Sequence, residues 1–227
     1  MTVAPRRALA FLLATIFIDT VGFGIIIPVL PNLLMDLLDG TLSTAALYGG
    51  WLMFAFSALQ FVSAPILGNL SDHYGRRPVL LGSLAAFAAD FVVMGLATTV
   101  GWLFLGRALS GVFSATYPVA SAYVADVTTP EQRARSFGLM GAAWGLGFVV
   151  GPAIGGLLGE ANPRLPFFVA AGLAAANVLY GYFVIPESLA PANRRPFSLA
   201  RSNPIGAFRQ MRRYPVVLGL LAALFLY

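Results

Sequence analysis

The chain has 227 residues, 59% of them hydrophobic and only 10% charged, whereas soluble domains carry roughly 25% charge. That leaves too little polar surface for a water-soluble fold, and the absence of cysteine rules out disulfides and thiolate metal sites. The formal charge of +5 rests on 14 arginines and no lysine, clustered in short loops between apolar runs, a topology pattern rather than a nucleic-acid-binding stripe.

Apolar runs of about 20 residues match helices that cross ~30 Å of hydrocarbon. They predict spans over residues 8–30, 46–70, 79–98, 101–124, 136–158 and 166–185. The first run follows Arg6 and Arg7 as a secretory signal would. It is too long for one, contains Asp19, and ends in Pro28-Val29-Leu30-Pro31, so it reads as a span. Residues 186–214 mix Pro, Asn, Ser and Arg, which predicts a basic cytoplasmic linker with an amphipathic segment around Phe208 to Arg213. A seventh apolar run begins after Pro215 and stops at Tyr227, reaching only about 20 Å as a helix. The expected fold is therefore an all-α polytopic membrane protein. It comprises a six-helix domain over 1–185, a linker over 186–214, and over 215–227 the start of a truncated helix 7 whose C-terminal half is absent.

Placing the N-terminus in the cytoplasm puts twelve arginines inside, Arg164 alone outside and Arg107 within a span, the bias expected of a multi-pass inner-membrane protein. Shifting the sequence by 88 positions lays the first three spans on the next three. Gly50 meets Gly138, Gly68 meets Gly156, Asp72 meets Glu160, Arg76 meets Arg164 and Pro78 meets Pro166. Three crossings per unit make the second inverted relative to the first. The same shift lays Asp19 on Arg107, an acid in helix 1 opposite a base in helix 4.

Asp19 and Asp90 each lie 11 residues into a span, about 16 Å deep. A charge there costs at least ~2.5–3.5 kcal/mol on insertion scales. Such a group either faces a polar cavity, a cation or a proton path, or is a neutral, hydrogen-bonded packing residue; the first is favoured for both. Arg107, about 9 Å from the outer end of helix 4, either snorkels outward or pairs with Asp19 or another cavity carboxylate. Between helices 2 and 3, the segment Gly68-Asn69-Leu70-Ser71-Asp72-His73-Tyr74-Gly75-Arg76-Arg77-Pro78 predicts a tight turn with glycines at each end and Asp72 at the next helix entrance.

This segment resembles the loop G-x-L-S-D-R/K-x-G-R/K-R/K of the major facilitator superfamily, departing only at His73, where a permanent cation is usual. The resemblance implies a cytoplasmic gate built from Gly68, Asp72, Gly75, Arg76 and Arg77, with Arg76 meeting an acid below helix 4, for which Asp126 is the match. Gly106-Arg107-Ala108-Leu109-Ser110-Gly111 resembles the family's helix-4 R-x-x-x-G motif, whose arginine is implicated in proton coupling. The run from Gly147 through Gly151, Pro152 and Gly155 to Gly156 resembles the helix-5 motif of antiporters, although small residues at this spacing also serve close helix packing alone. Asp19-Thr20-Val21-Gly22-Phe23-Gly24, Asp90, and Ala125-Asp126-Val127-Thr128 with Arg133 and Gly138 are similar to tetracycline/proton antiporters. That likeness implies export of tetracycline as a divalent-metal chelate in exchange for protons, with Asp19, Asp90 and Arg107 in coupling. It implies no resident metal or cofactor, a small-molecule substrate, and the missing C-terminal half as partner. A metabolite or sugar transporter on the same scaffold, and an inactive or self-associating half, are the alternatives. No enzymatic constellation is visible, and without lysine there is no phosphate-cradling loop of the Gly-x-x-x-x-Gly-Lys kind.

Overall fold

The structure, a computed structural model, describes residues 3–198, 202–203 and 215–226. The expected amphipathic segment at 208–213, with Arg201, Arg209, Arg212 and Arg213, lies outside the described residues. Among the described residues there are eight α-helices, in chain order α1 (Val3–Leu38), α2 (Leu42–Tyr74), α3 (Arg76–Gly95), α4 (Val100–Phe113), α5 (Thr116–Val127), α6 (Pro130–Ala161), α7 (Leu165–Val184) and α8 (Pro215–Leu226). A 3₁₀ turn, Pro191–Asn193, follows α7. Five of these helices, α1, α2, α3, α6 and α7, are long and apolar enough to cross a membrane.

The sixth crossing departs from its expectation as one helix over 101–124. It is built from α4 and α5, separated at Ser114 and Ala115. Pro118 is the cause: it has no N–H to offer the carbonyl of Ser114, and its ring crowds that turn. The helix tightens before breaking, with Ser114 N–H bonding to Gly111 at 3.4 Å and Ala115 N–H to Phe113 at 2.8 Å. Helices α1, α2 and α6 overrun their apolar cores, because a helix continues past hydrocarbon until a capping or turn residue stops it, whereas α3 and α7 keep the expected length. Asp39, at φ 47°, ends α1, and the Gly40 N–H closes on the Met35 carbonyl at 3.2 Å. Thr41 then caps α2 by accepting from the Thr44 N–H.

The 88-residue shift carries α1 onto α4–α5, α2 onto α6 and α3 onto α7. The packing obeys that exchange. The α1–α6 contact corresponds to α4–α2, the α1–α7 contact to α4–α3, and the α3–α7 contact maps onto itself; all are among the most extensive in the bundle. Each unit of three helices therefore lends its first helix to the other's second, an interlocked inverted repeat.

Two apolar clusters fill the interior. One holds Ile25, Leu34, Leu52, Phe91, Leu103 and Phe167. The other lies toward the arginine-bearing end and holds Phe11, Leu12, Leu80, Leu84, Tyr123 and Met140. Between them runs a layer of buried polar groups: Thr15, Ser83, Asp90, Arg107, Ser110 and Asn177. Thr15 and Asn177 satisfy each other across α1 and α7, the asparagine Nδ2 lying 3.1 Å from the threonine Oγ1. The remaining polar groups of this layer form the site.

Candidate functional site: a mid-bundle carboxylate cavity and a capped basic end

Asp90 of α3 and Arg107 of α4 form an ion pair, Nη2 to Oδ2 at 2.6 Å, with 0% and 1% of their surfaces exposed. The Ser110 hydroxyl donates to the same carboxylate oxygen. Met94 Sδ lies 3.1 Å from the guanidinium, and the Phe56 ring sits beneath it at 5.6 Å. Gly106 makes the approach possible, because a Cβ there would lie 2.5 Å from Asp90 Oδ1. The pairing of Arg107 with Asp19 suggested by the repeat is thus not formed. Arg107 also does not snorkel, since it is buried and its guanidinium is held by Asp90 inside the bundle. Asp90 Oδ1 and Arg107 Nε nevertheless lack hydrogen-bond partners, so the network is only partly satisfied.

Asp19 faces a separate, open-sided cavity of about 280 Å³ lined by residues of α1 to α6. Its Oδ1 is buried without a hydrogen-bond partner, and the Thr116 side chain at the start of α5 lines the same cavity. Aromatic rings make up much of the wall: Phe23, Phe56, Phe87, Phe113, Tyr117 and Trp144. Gln60 of α2 crosses to the helix break and donates to Ser114 Oγ at 2.7 Å. The break thereby turns Ser114 and Thr116 toward the cavity, where an unbroken helix would present a different face. Phe56 and Ser110 line this cavity and also touch the Asp90–Arg107 pair, so the two acidic sites share a wall. A carboxylate with an unmet oxygen inside an aromatic box suits a flat cationic group or a proton. Gln60, Ser114 and Thr116 were missed in the sequence, although polar residues inside apolar spans, next to Pro118, were a usable signal.

The helix-5 glycines seat α6 on α1 beside Asp19. A Cβ on Gly147, Gly151 or Gly155 would lie within 2.7 Å of the Phe17, Val21 or Ile25 carbonyl oxygen respectively. Pro152 packs its Cδ against Gly24. Gly156 is different: nothing lies within 4 Å of the position its Cβ would take, so it has no part in this seam.

At the basic end the expected tight turn with a glycine at each end is not formed. Helix α2 runs through Gly68, where a Cβ would meet nothing, and on to Tyr74. Asp72 is accordingly in the last turn of α2 rather than at the entrance to α3. Gly75 alone makes the turn, at φ 112°, a conformation open to glycine and strained for other residues. Arg76 draws the helices together: Nη1 to Asp72 Oδ1 at 2.5 Å, Nη1 to Ser71 Oγ at 2.7 Å, and Nε to Asp126 Oδ2 at 3.3 Å. Arg77 donates to the Tyr182 carbonyl at 2.6 Å, closing the end of α7. His73 bonds through Nδ1 to the Arg195 carbonyl at 3.1 Å, so the position where the family carries a cation instead holds the following segment.

Glu187, just after α7, escaped the sequence reading. Its carboxylate accepts from the Arg76 N–H at 2.8 Å and the Arg77 N–H at 3.2 Å, capping the start of α3 where backbone donors are unpaired. It also leaves no room for a side chain at Gly75. The carboxylate-after-Pro186 pattern could have drawn attention, but no local spacing ties it to a helix some 110 residues earlier. Glu187→Ala is expected to lower stability by about 1–2 kcal/mol through loss of this cap, with Glu187→Gln retaining part of it. Thermal unfolding of the two variants in detergent checks this, and equal melting of Glu187→Ala and the unmodified protein would contradict it.

Comparison with known proteins places this architecture. The family description Major Facilitator Superfamily matches residues 12–227. The chain is 42% identical over 221 residues to the class C tetracycline resistance protein of Escherichia coli, covering 97% of this chain and 55% of that protein. It is 34% identical over 190 residues to multidrug resistance protein 2 of Bacillus subtilis (strain 168), covering 82% and 46%. The crystal structure of the human organic anion transporter MFSD10 (TETRAN) superposes with a TM-score of 0.74 at 25% identity, covering 85% of this chain and 50% of that one. The chain spans about half the length of the curated relatives it matches. With these matches on top of six interlocked crossings, the chain belongs to the major facilitator superfamily.

Proposed function

We propose that this bundle is part of a proton-coupled antiporter that exports tetracycline-type drugs, carried as divalent-metal chelates, by alternating access. The observation that carries the reading is Asp19, whose carboxylate has an unmet oxygen in a mid-bundle cavity walled by aromatic rings. The likeness to tetracycline resistance proteins supports the substrate class. In this reading Asp19 holds either a proton or the cationic chelate, and competition between the two couples their movements in opposite directions. The buried Asp90–Arg107 pair positions the shared wall through Ser110 and Phe56.

The basic end faces the cytoplasm, as the arginine distribution favours. Residues 1–185 act as one six-crossing unit, and residues 186–214 form the connecting linker. The Asp72–Arg76–Asp126 network, capped by Glu187, holds the cytoplasmic ends of α2, α3 and α5 together. The length of the relatives not spanned by this chain supplies the opposite wall of the path. The reading needs no cofactor.

The test is proton movement in everted membrane vesicles bearing the complete reading frame, with an imposed inward proton gradient. Adding tetracycline with Mg²⁺ is expected to release protons, and Asp19→Asn is expected to reduce that release by at least about a hundredfold, as removal of an essential proton-transfer group does. Well-expressed protein that gives no response to tetracycline would overturn the substrate assignment. Undiminished release in Asp19→Asn would remove Asp19 from the coupling.

A further inference from the structure

A second cleft, of about 420 Å³, opens between α1 and α6 near the basic end and is lined by Leu9, Leu13, Leu139, Gln132, Arg135 and Ser136 among others. It lies on the same stripe of α1 as the Asp19 cavity. Leu9, Leu13, Ile16, Thr20 and Phe23 recur at intervals of four and three residues, the spacing of one helix face. The first two line the cleft and the last three the cavity. The cleft at the opposite end, lined by Pro28, Val29 and Asn32, falls off that stripe.

Two groups in the basic-end cleft are unpaired. Gln132 Oε1 is buried with no hydrogen-bond partner. Arg135 is exposed and forms no ion pair among the described residues. Its neighbour Arg133 instead donates to the Ala125 carbonyl. The cleft therefore offers a permanent cation, a hydrogen-bond acceptor and an apolar wall, whereas the Asp19 cavity offers a carboxylate. A molecule matching both carries an acidic oxygen, a donor or cationic group, and an apolar ring body.

We propose that the α1–α6 cleft is an entry subsite for an amphipathic, zwitterionic polycyclic substrate. The substrate's acidic oxygen pairs with Arg135, a donor group meets Gln132 Oε1, and its apolar body lies against Leu9, Leu13 and Leu139. From there it passes along the α1 stripe to Asp19. This rests on the export reading above and adds to it a first binding position with charge preference opposite to that of the main cavity.

This chain contains no cysteine, and any cysteine elsewhere in the reading frame is first replaced by serine, so that a single introduced thiol reports cleanly. In the complete reading frame, Leu139→Cys is placed in the cleft and, in a separate protein, Phe113→Cys in the main cavity. Maleimide labelling of each is timed with and without tetracycline and Mg²⁺. Tetracycline is expected to slow labelling at both thiols, and to protect Leu139→Cys even when combined with Asp19→Asn. Arg135→Ala is expected to abolish protection at Leu139→Cys and to raise the transport KM about tenfold, the size of a lost charge-assisted contact, with kcat changed less than about twofold. Arg135→Lys should restore part of the KM. Protection at Phe113→Cys without protection at Leu139→Cys would overturn the entry subsite and leave the export reading standing. No transport and no protection at either thiol would remove the export reading, and the subsite with it.

Discussion

Asp90→Ala is expected to destabilise the protein by about 3–5 kcal/mol, because it leaves the Arg107 guanidinium buried without its counter-ion. Arg107 is 1% exposed and its only carboxylate partner among the described residues is Asp90. Arginine cannot shed its charge, so no change of protonation relieves the loss. Asp90→Asn should cost less, since an amide oxygen still accepts from Arg107 and Ser110. The combination Asp90→Leu with Arg107→Met should recover most of the stability, because apolar replacements of a buried pair are often neutral or favourable. That recovery has a use: a double variant that melts like the unmodified protein but no longer transports would assign the pair to function rather than to folding. Thermal unfolding in detergent is the measurement, and an Asp90→Ala melting temperature within about two degrees of the unmodified protein would show that Arg107 finds another partner.

That pair also marks the boundary of what the sequence could reveal. The spans were legible because a run of about 20 apolar residues has few other uses. The inverted repeat was legible from an 88-residue self-similarity, while the pairing of each unit's first helix with the other's second came from the packing. The partner of Arg107 was left open between Asp19 and another carboxylate, and Asp90 fills the second role; the shift had set Asp19 against it, but repeat symmetry relates positions without bringing them into contact. A better signal was present. Asp90 and Arg107 flank the short turn between α3 and α4 at nearly equal distances in sequence, which places them at one depth in an antiparallel helix pair. The broken crossing was likewise recorded in Pro118, whose missing N–H outweighs the apolar continuity of residues 101–124. At the basic end, the motif directed attention to Gly68 and Gly75 equally. Only the second lies in a backbone conformation that demands glycine, and a residue spacing does not reveal dihedral angles. The Glu187 cap depends on a tertiary approach with no local trace.

The helix-5 motif separates in the same way, and the difference can be measured. Gly151→Ala is expected to lower stability by about 1–3 kcal/mol, the range for overpacking a close-packed interior. Its Cβ would lie 2.6 Å from the Val21 carbonyl oxygen and 2.8 Å from Gly24 Cα. Both are backbone atoms of α1, so no side chain can swing aside, and the whole helix must shift. That shift moves Asp19, which shares this stretch of α1 with Val21, and so transport should fall further than stability. Gly156→Ala sits five residues along the same motif with nothing within 4 Å of its Cβ. It should leave stability unchanged or raise it by up to about 1 kcal/mol, as alanine is the better helix former. Comparing the two variants by thermal unfolding and drug-driven proton release decides what the motif is for. If Gly156→Ala abolishes transport while melting normally, its open face is used by something outside this bundle. If Gly151→Ala alone is impaired, the motif serves to hold α6 against α1 at the depth of Asp19. Equal tolerance of both substitutions would contradict the seam described here, since two helices this close have no slack for a methyl group.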